Sequence, residues 1–243
     1  LSIATPKFNE TEFLAEKGNV RNELTGYLNN NARLLWPKIQ QAFGEEVLTY
    51  EQRLKTIDNI SLADICEHHA RTHTTDNLRF VIAGKIDEFR RDKIIANLEQ
   101  ISLPRGERFD LITDPLETPH EPVCIARPDL KNISFGLSLV LPRQLSDDEM
   151  DAMDAFNHII TGTMHSRIFG QARKRGLADG IYSGTSRGVS DSSWDFEGQT
   201  NFDTAKPLFE LVVTELKRIL NGEISETELE AMKSFALGSF QMG

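Results

Sequence analysis

The chain has 243 residues, 39% hydrophobic and 26% charged, which is enough apolar material for one large or two small globular domains. A formal charge of −10 and a pI near 5.1 exclude strong long-range attraction to phosphate backbones, so nucleic acid is not an expected partner. No run approaches the roughly 18–20 apolar residues of a membrane span, and Leu1 to Lys7 do not read as a secretion signal. A soluble chain with no membrane partner is expected, cytoplasmic or periplasmic.

Asn9 followed by Glu12 makes a capping box, and Phe13, Val20, Leu24, Tyr27 and Leu28 recur at helical spacing, which predicts a long helix over 9–30. Pro37 removes a donor and disfavours helical angles at Trp36, so the helix is expected to break across 33–37 and a second to run on to Phe43, where Gly44 stops it. Ser61 and Asp64 open a helix through His73. Leu78 to Gly84, almost without polar interruption, predicts a buried strand. Helical spacing returns over 86–101, and the Pro-rich, charged stretch 102–122 reads as a connection.

Strand signals resume at Val123–Ala126 and Ile133–Leu141. Ser146 with Glu149 then caps a helix whose Met150, Met153, Phe156, Ile159 and Ile160 share one face. Residues 180–201 alternate through Tyr182, Trp194 and Phe196 about a polar turn at 190–193, which predicts a β-hairpin. Helices over 204–220 and 225–240 follow, the second capped by Ser225 and Glu228. Strands followed by paired helices predict an α+β fold with a mixed, largely antiparallel sheet and helices on one face. Cys66 and Cys124 form no CxxC or disulfide pattern and are expected to be buried free thiols. The chain starts without Met and stops inside a helical pattern, so both ends read as cut.

Glu16 and Glu23 are seven positions apart and project from nearly the same helix face, with Val20 between them. Such a pair either meets a cation, as metal or side chain, or is a solvated, salt-bridged face; spacing alone favours the second. His69 and His73 have the i, i+4 spacing that can grip a metal, but no glutamate stands between them as in HExxH and Arg71 opposes a cation, so an exposed helix end containing His68 is expected. His120, His158 and His165 are isolated and read as structural or exposed. Gly162 and Gly176 belong to no phosphate loop, and no GxSxG elbow is present.

Three stretches in order resemble the pitrilysin/insulinase/mitochondrial-processing-peptidase family of inverted-motif zinc metallopeptidases. They are Glu16-Lys17-Gly18-Asn19-Val20-Arg21-Asn22-Glu23-Leu24; Ile60 to Asp64 with Asn77 to Asp87; and Thr161 to Phe169 with Arg175-Gly176-Leu177-Ala178 and Ile224 to Lys233. The resemblance implies that residues 1–57 are the C-terminal helical remnant of a zinc-bearing domain. It makes 58–243 the second, middle α+β domain of the peptidase half, C-terminally truncated, with a two-layer architecture. Glu23 would be the third zinc ligand, and Glu16 a catalytic-site support that holds a ligating histidine. In that chemistry zinc activates water while the glutamate of HxxEH serves as base.

No HxxEH occurs in this chain, so the fragment alone is expected to be inactive, and one carboxylate is too few for zinc. The family's Arg-x6-Tyr pair, aligned on Gly176-Leu177-Ala178, falls on Ala172 and Asp179, with Arg173 one position off. The parent is expected to hydrolyse short or unfolded polypeptides, closing a chamber with a second peptidase half or an oligomeric partner. The alternative is a catalytically silent family subunit acting as a structural or peptide-binding module.

Overall fold

The computed structural model describes residues 4–110, 115–119, 121–127 and 130–242, and over 239–242 the helix alone. Contacts divide the chain into two interleaved compact units: one gathers Leu1–Asn29 with Leu48–Ile112, the other Asn30–Val47 with Thr113–Gly243.

The first unit is helical. Helix α1 (Glu10–Tyr27) starts where the Asn9 side chain accepts the Glu12 N–H. Beyond the next segment come α3 (Tyr50–Thr56), a 3-10 turn at Ile57–Asn59, α4 (Leu62–Thr72) and α5 (Glu88–Glu99). Reciprocal capping boxes, Thr49 with Gln52 and Ser61 with Asp64, fix two of these starts. Leu24 and Ile57 are buried in it. Asn77 ties the following chain by donating to the Glu107 carbonyl at 2.8 Å and accepting from the Phe109 N–H at 2.8 Å.

The second unit contains α2 (Asn31–Ala42) and the sheet. The helix break falls earlier than the sequence suggests: Asn30 caps a new helix by accepting the Arg33 N–H at 3.1 Å, and Pro37 lies inside α2, buried. One lost backbone bond is tolerable where the ring is packed; Gly44, at φ +90°, ends the turn as expected. Then follow β1 (Asn132–Leu141), α6 (Asp147–Thr161), α7 (Phe169–Lys174), β2 (Gly180–Arg187), β3 (Ser192–Asn201), α8 (Phe202–Leu220) and α9 (Glu226–Met242). The strands form an antiparallel sheet in the order β1-β3-β2, with Leu137 opposite Phe196 and Ser183 opposite Phe196 on its other side. The hairpin β2–β3 turns at 188–191, two residues before the polar run that signalled it.

One face of the sheet carries Phe135, Leu137, Ile181, Trp194 and Phe196 against Ile159 and Ile160 of α6, Ala172 of α7 and Leu208, Leu211 and Val212 of α8. Burying each of the larger of these contributes about 1.5–3 kcal/mol. Asn157 satisfies the polar groups inside, accepting the Trp194 indole N–H at 2.9 Å and donating to the Ser183 carbonyl at 3.2 Å. The α+β class with helices on this face stands; α2 additionally covers part of the opposite face, where the Trp36 indole donates to Glu197 at 2.8 Å. Leu78–Gly84 and Val123–Ala126 form no strand, because among the described residues no neighbouring backbone pairs with them. The run expected to be buried instead exposes Phe80, Val81 and Ile82. Cys124 is exposed and Cys66 half-buried, since neither segment is covered.

Candidate functional site

The α1 helix turns two stripes to different surroundings. Lys17, Arg21 and Leu24 face the turn after α3: the Lys17 ammonium donates to the carbonyls of Asp58 and Ile60 at 3.0 and 2.7 Å, and Arg21 pairs with Asp58. About 100° round the helix lies the stripe of Glu16, Val20, Glu23 and Tyr27. Both acids are exposed, so the shared face read from their spacing exists. Glu16 accepts from the Asn19 amide at 3.1 Å, and Glu23 accepts from the Tyr27 hydroxyl, whose ring packs 5.1 Å from that of Tyr50.

Among the described residues no three His, Cys, Asp or Glu side chains group so as to hold a metal ion. Catalytic zinc takes three protein ligands, and Glu23 offers one, so the residues present do not by themselves fit the metal. His69 and His73 stack face to face, ring centroids 4.1 Å apart, which leaves their in-plane lone pairs without a common point; Phe8 meets His69 edge-on. His158 stacks on Phe235 at 3.8 Å, and burial pushes its pKa down. The His165 N–H donates to the Thr163 hydroxyl at 3.1 Å. His120 lies outside the described residues.

Ala172 is fully buried in the core while Asp179 and Arg173 are exposed. An arginine at 172 would have to enter the apolar interior, and an anionic Asp179 cannot stabilise a developing oxyanion. This domain therefore carries no cationic or phenolic pair at those positions.

An ionic cluster that sequence reasoning did not assemble joins Arg167, in the connection between α6 and α7, to α8 and the start of α9. The Arg167 side chain is 11% exposed and donates through Nε and Nη2 to the two Glu228 oxygens, both at 2.6 Å; Nη2 also reaches the Glu223 carbonyl at 2.6 Å. Glu215 lies 3.8 Å from Nη1 and accepts from Arg218 at 3.1 Å. The guanidinium of Arg167, followed by the Ser225 cap, pulls the Glu228 carboxyl down to about 2. Arg167 and Glu228 each stood in a segment singled out for its resemblance, yet 61 positions separate them, and no local signal announces the pairing.

The family model described as "Peptidase M16 inactive domain" matches residues 59–235, and the chain belongs to that family, the pitrilysin-type peptidases that its sequence resembles. A protease from Helicobacter pylori has a TM-score of 0.81 at 19% identity over 99% of this chain and 60% of that one. The M16 inactive domain from Pseudomonas fluorescens has a TM-score of 0.77 at 20% identity, over 98% and 58% of the two chains. The periplasmic protease PqqL from Escherichia coli has a TM-score of 0.65 at 17% identity, over 93% and 26%. At these identities the likeness is one of fold. The chain spans 60% or less of the length of each of these three. A comparison with curated proteins found no match. Among the described residues no helix is long and apolar enough to cross a membrane.

Proposed function

We propose that this chain is part of a zinc-dependent metalloendopeptidase acting on short or unfolded polypeptides, and that the stretch by itself is inactive. The observation that carries the reading is the match of 59–235 to the M16 inactive domain. In it, residues 1–57 close the zinc-bearing domain and 58–243 form the domain that follows; the start of the family match at 59 supports that boundary. Glu23 is the third metal ligand and Glu16 supports a ligating histidine, their shared exposed stripe leaving both carboxylates open to partners from another part of the protein. A second peptidase half or an oligomeric partner closes the chamber. The burial of Ala172 and the charge of Asp179 favour a second reading, a catalytically silent subunit that serves as a structural or peptide-binding module.

The test uses the full-length protein with an unfolded polypeptide. Chelator-sensitive hydrolysis is expected, with Glu23→Gln removing bound zinc and activity and Glu16→Gln weakening zinc affinity about 10–100-fold. Binding without turnover in the unaltered protein selects the silent subunit. Unchanged zinc content and activity in Glu23→Gln would remove the site assignment. The 243-residue chain alone is expected to hold no stoichiometric zinc, and metal analysis showing one tightly bound zinc per molecule contradicts its proposed inactivity.

A further inference from the structure

Helix α9 is fastened within the second unit by contacts of two kinds. At its start Arg167 binds Glu228, and the Leu229 N–H donates to the Ser225 carbonyl at 3.1 Å. About two turns further on, past Met232, which packs against the core, the Phe235 ring lies on the imidazole of His158 in α6. The ring centroids are 3.8 Å apart and the planes 16° from parallel. Phe235 is 52% exposed, so the stack covers one side of a ring otherwise open to water.

His158 stands in the last turn of α6, and the residue that ends the helix makes room for its ring. Gly162 donates its N–H to the His158 carbonyl at 2.9 Å, and a Cβ there would lie 2.4 Å from Nδ1, so any side chain at 162 would displace the imidazole. One face of the half-buried ring is thus covered by Phe235 and its Nδ1 edge by Gly162, and among the described residues it makes no hydrogen bond or ion pair. The charges on the elements packed against it are engaged elsewhere or exposed. On α6 Asp154 accepts from Thr185 of β2 and Asp147 pairs with Arg187; on α9 Glu228 is held by Arg167, and Glu230 by Lys233 at 2.7 Å. Asp151 of α6, His165 after it and Arg173 and Lys174 of α7 are exposed. The α6 dipole and the Phe235 face both favour a cation, yet burial outweighs them and pushes the imidazole pKa down.

We propose that His158 and Phe235 form a proton-sensitive clasp: the neutral imidazole holds the middle of α9 to α6, and the imidazolium turns out to water and lets the helix beyond Met232 loosen while its latched first turn stays. The folded pKa of His158 lies below its ordinary 6.5, so the hold is complete above 6.5 and is lost as the pH falls from there through the depressed value. The latch does not change in that window, since Glu228 titrates only at about 2. One end of α9 therefore answers to mild acid and the other does not.

Amide hydrogen exchange of the 243-residue chain tests this, with rates expressed as protection factors so that the intrinsic pH dependence cancels. Between about pH 7.5 and about pH 5.5 the protection of Phe235, Ala236 and Leu237 should fall at least about twofold relative to that of Leu229. His158→Phe keeps a flat ring against Phe235 but cannot take a proton, and in it the ratio should be the same at both pH values. Nuclear magnetic resonance titration of the His158 ring gives an independent readout: its midpoint should lie below 6.5 and move up toward it in Phe235→Ala. A constant ratio in the unaltered chain, a fall that persists in His158→Phe, or a midpoint that Phe235→Ala leaves in place overturns the clasp.

Discussion

Residues 78–84 and 192–198 show how little a strand is a local property. Leu78-Arg79-Phe80-Val81-Ile82-Ala83-Gly84 is the more apolar stretch, yet Val81 is 91% exposed; Ser192-Ser193-Trp194-Asp195-Phe196-Glu197-Gly198 alternates with polar residues, yet Phe196 is 0% exposed. Position in the sheet separates them. The second stretch has β1 on one side, β2 on the other and α6 and α8 against one face, so every second side chain is removed from water and each alternate one stays polar. The first has no backbone partner among the described residues, and hydrophobicity without pairing buries little. Apolar content proposes a strand, and neighbours make it.

The contrast is sharpest at Phe196. Phe196→Ala should cost about 3–5 kcal/mol, lowering the melting temperature by about 10 °C, because the cavity opens under two strands and several helices that cannot all collapse into it. A loss below 1 kcal/mol would mean that this core is loosely packed and the contrast with 78–84 overstated.

Next in size is the ionic latch of the same unit. Arg167→Ala should cost about 2–3 kcal/mol, since it strands Glu228 in a partly enclosed site without its cation and leaves Glu215 to Arg218 alone. The Glu228 carboxyl titrates near 2 in the fold and at its usual 4.5 when unfolded. Its contribution is therefore complete above pH 4.5 and is lost as the pH falls toward 2. Acid titration of stability should show this slope in the unaltered chain and a flatter one in Arg167→Ala; identical slopes would show that the latch does not hold α9.

The smallest effect is expected at Val81. Val81→Thr should change stability by no more than about 0.5 kcal/mol by chemical denaturation, as for other open surface positions. A cost above 1 kcal/mol would mean that this segment is covered in solution, which would erase its difference from 192–198.

Much of the architecture was legible because its signals are short-range. Ser61 with Asp64 and Ser146 with Glu149 mark helix starts that the structure reproduces with both reciprocal bonds, and the alternation around Trp194 and Phe196 marks the hairpin. Where signals conflicted, context won. Pro37 argued for a break, but Asn30 had already restarted the helix and the ring is buried within α2. At the candidate site, the seven-residue spacing of Glu16 and Glu23 gave their common stripe, while the Arg167, Glu215 and Glu228 cluster stayed hidden because its members come from three separate segments.

By itself the sequence determined the helix boundaries set by caps, the alternation that assigns each strand residue to a face, and the family, through motifs spread along the chain. These depend on bonds and spacings within a few residues, or on residues that can be matched one at a time. Only the tertiary structure decided which of the described apolar runs are buried, that Ala172 occupies the core, and that Arg167 meets Glu228. Each of those rests on bringing distant segments within a few ångströms, where desolvation and ion pairing act, and neither is written at any single position.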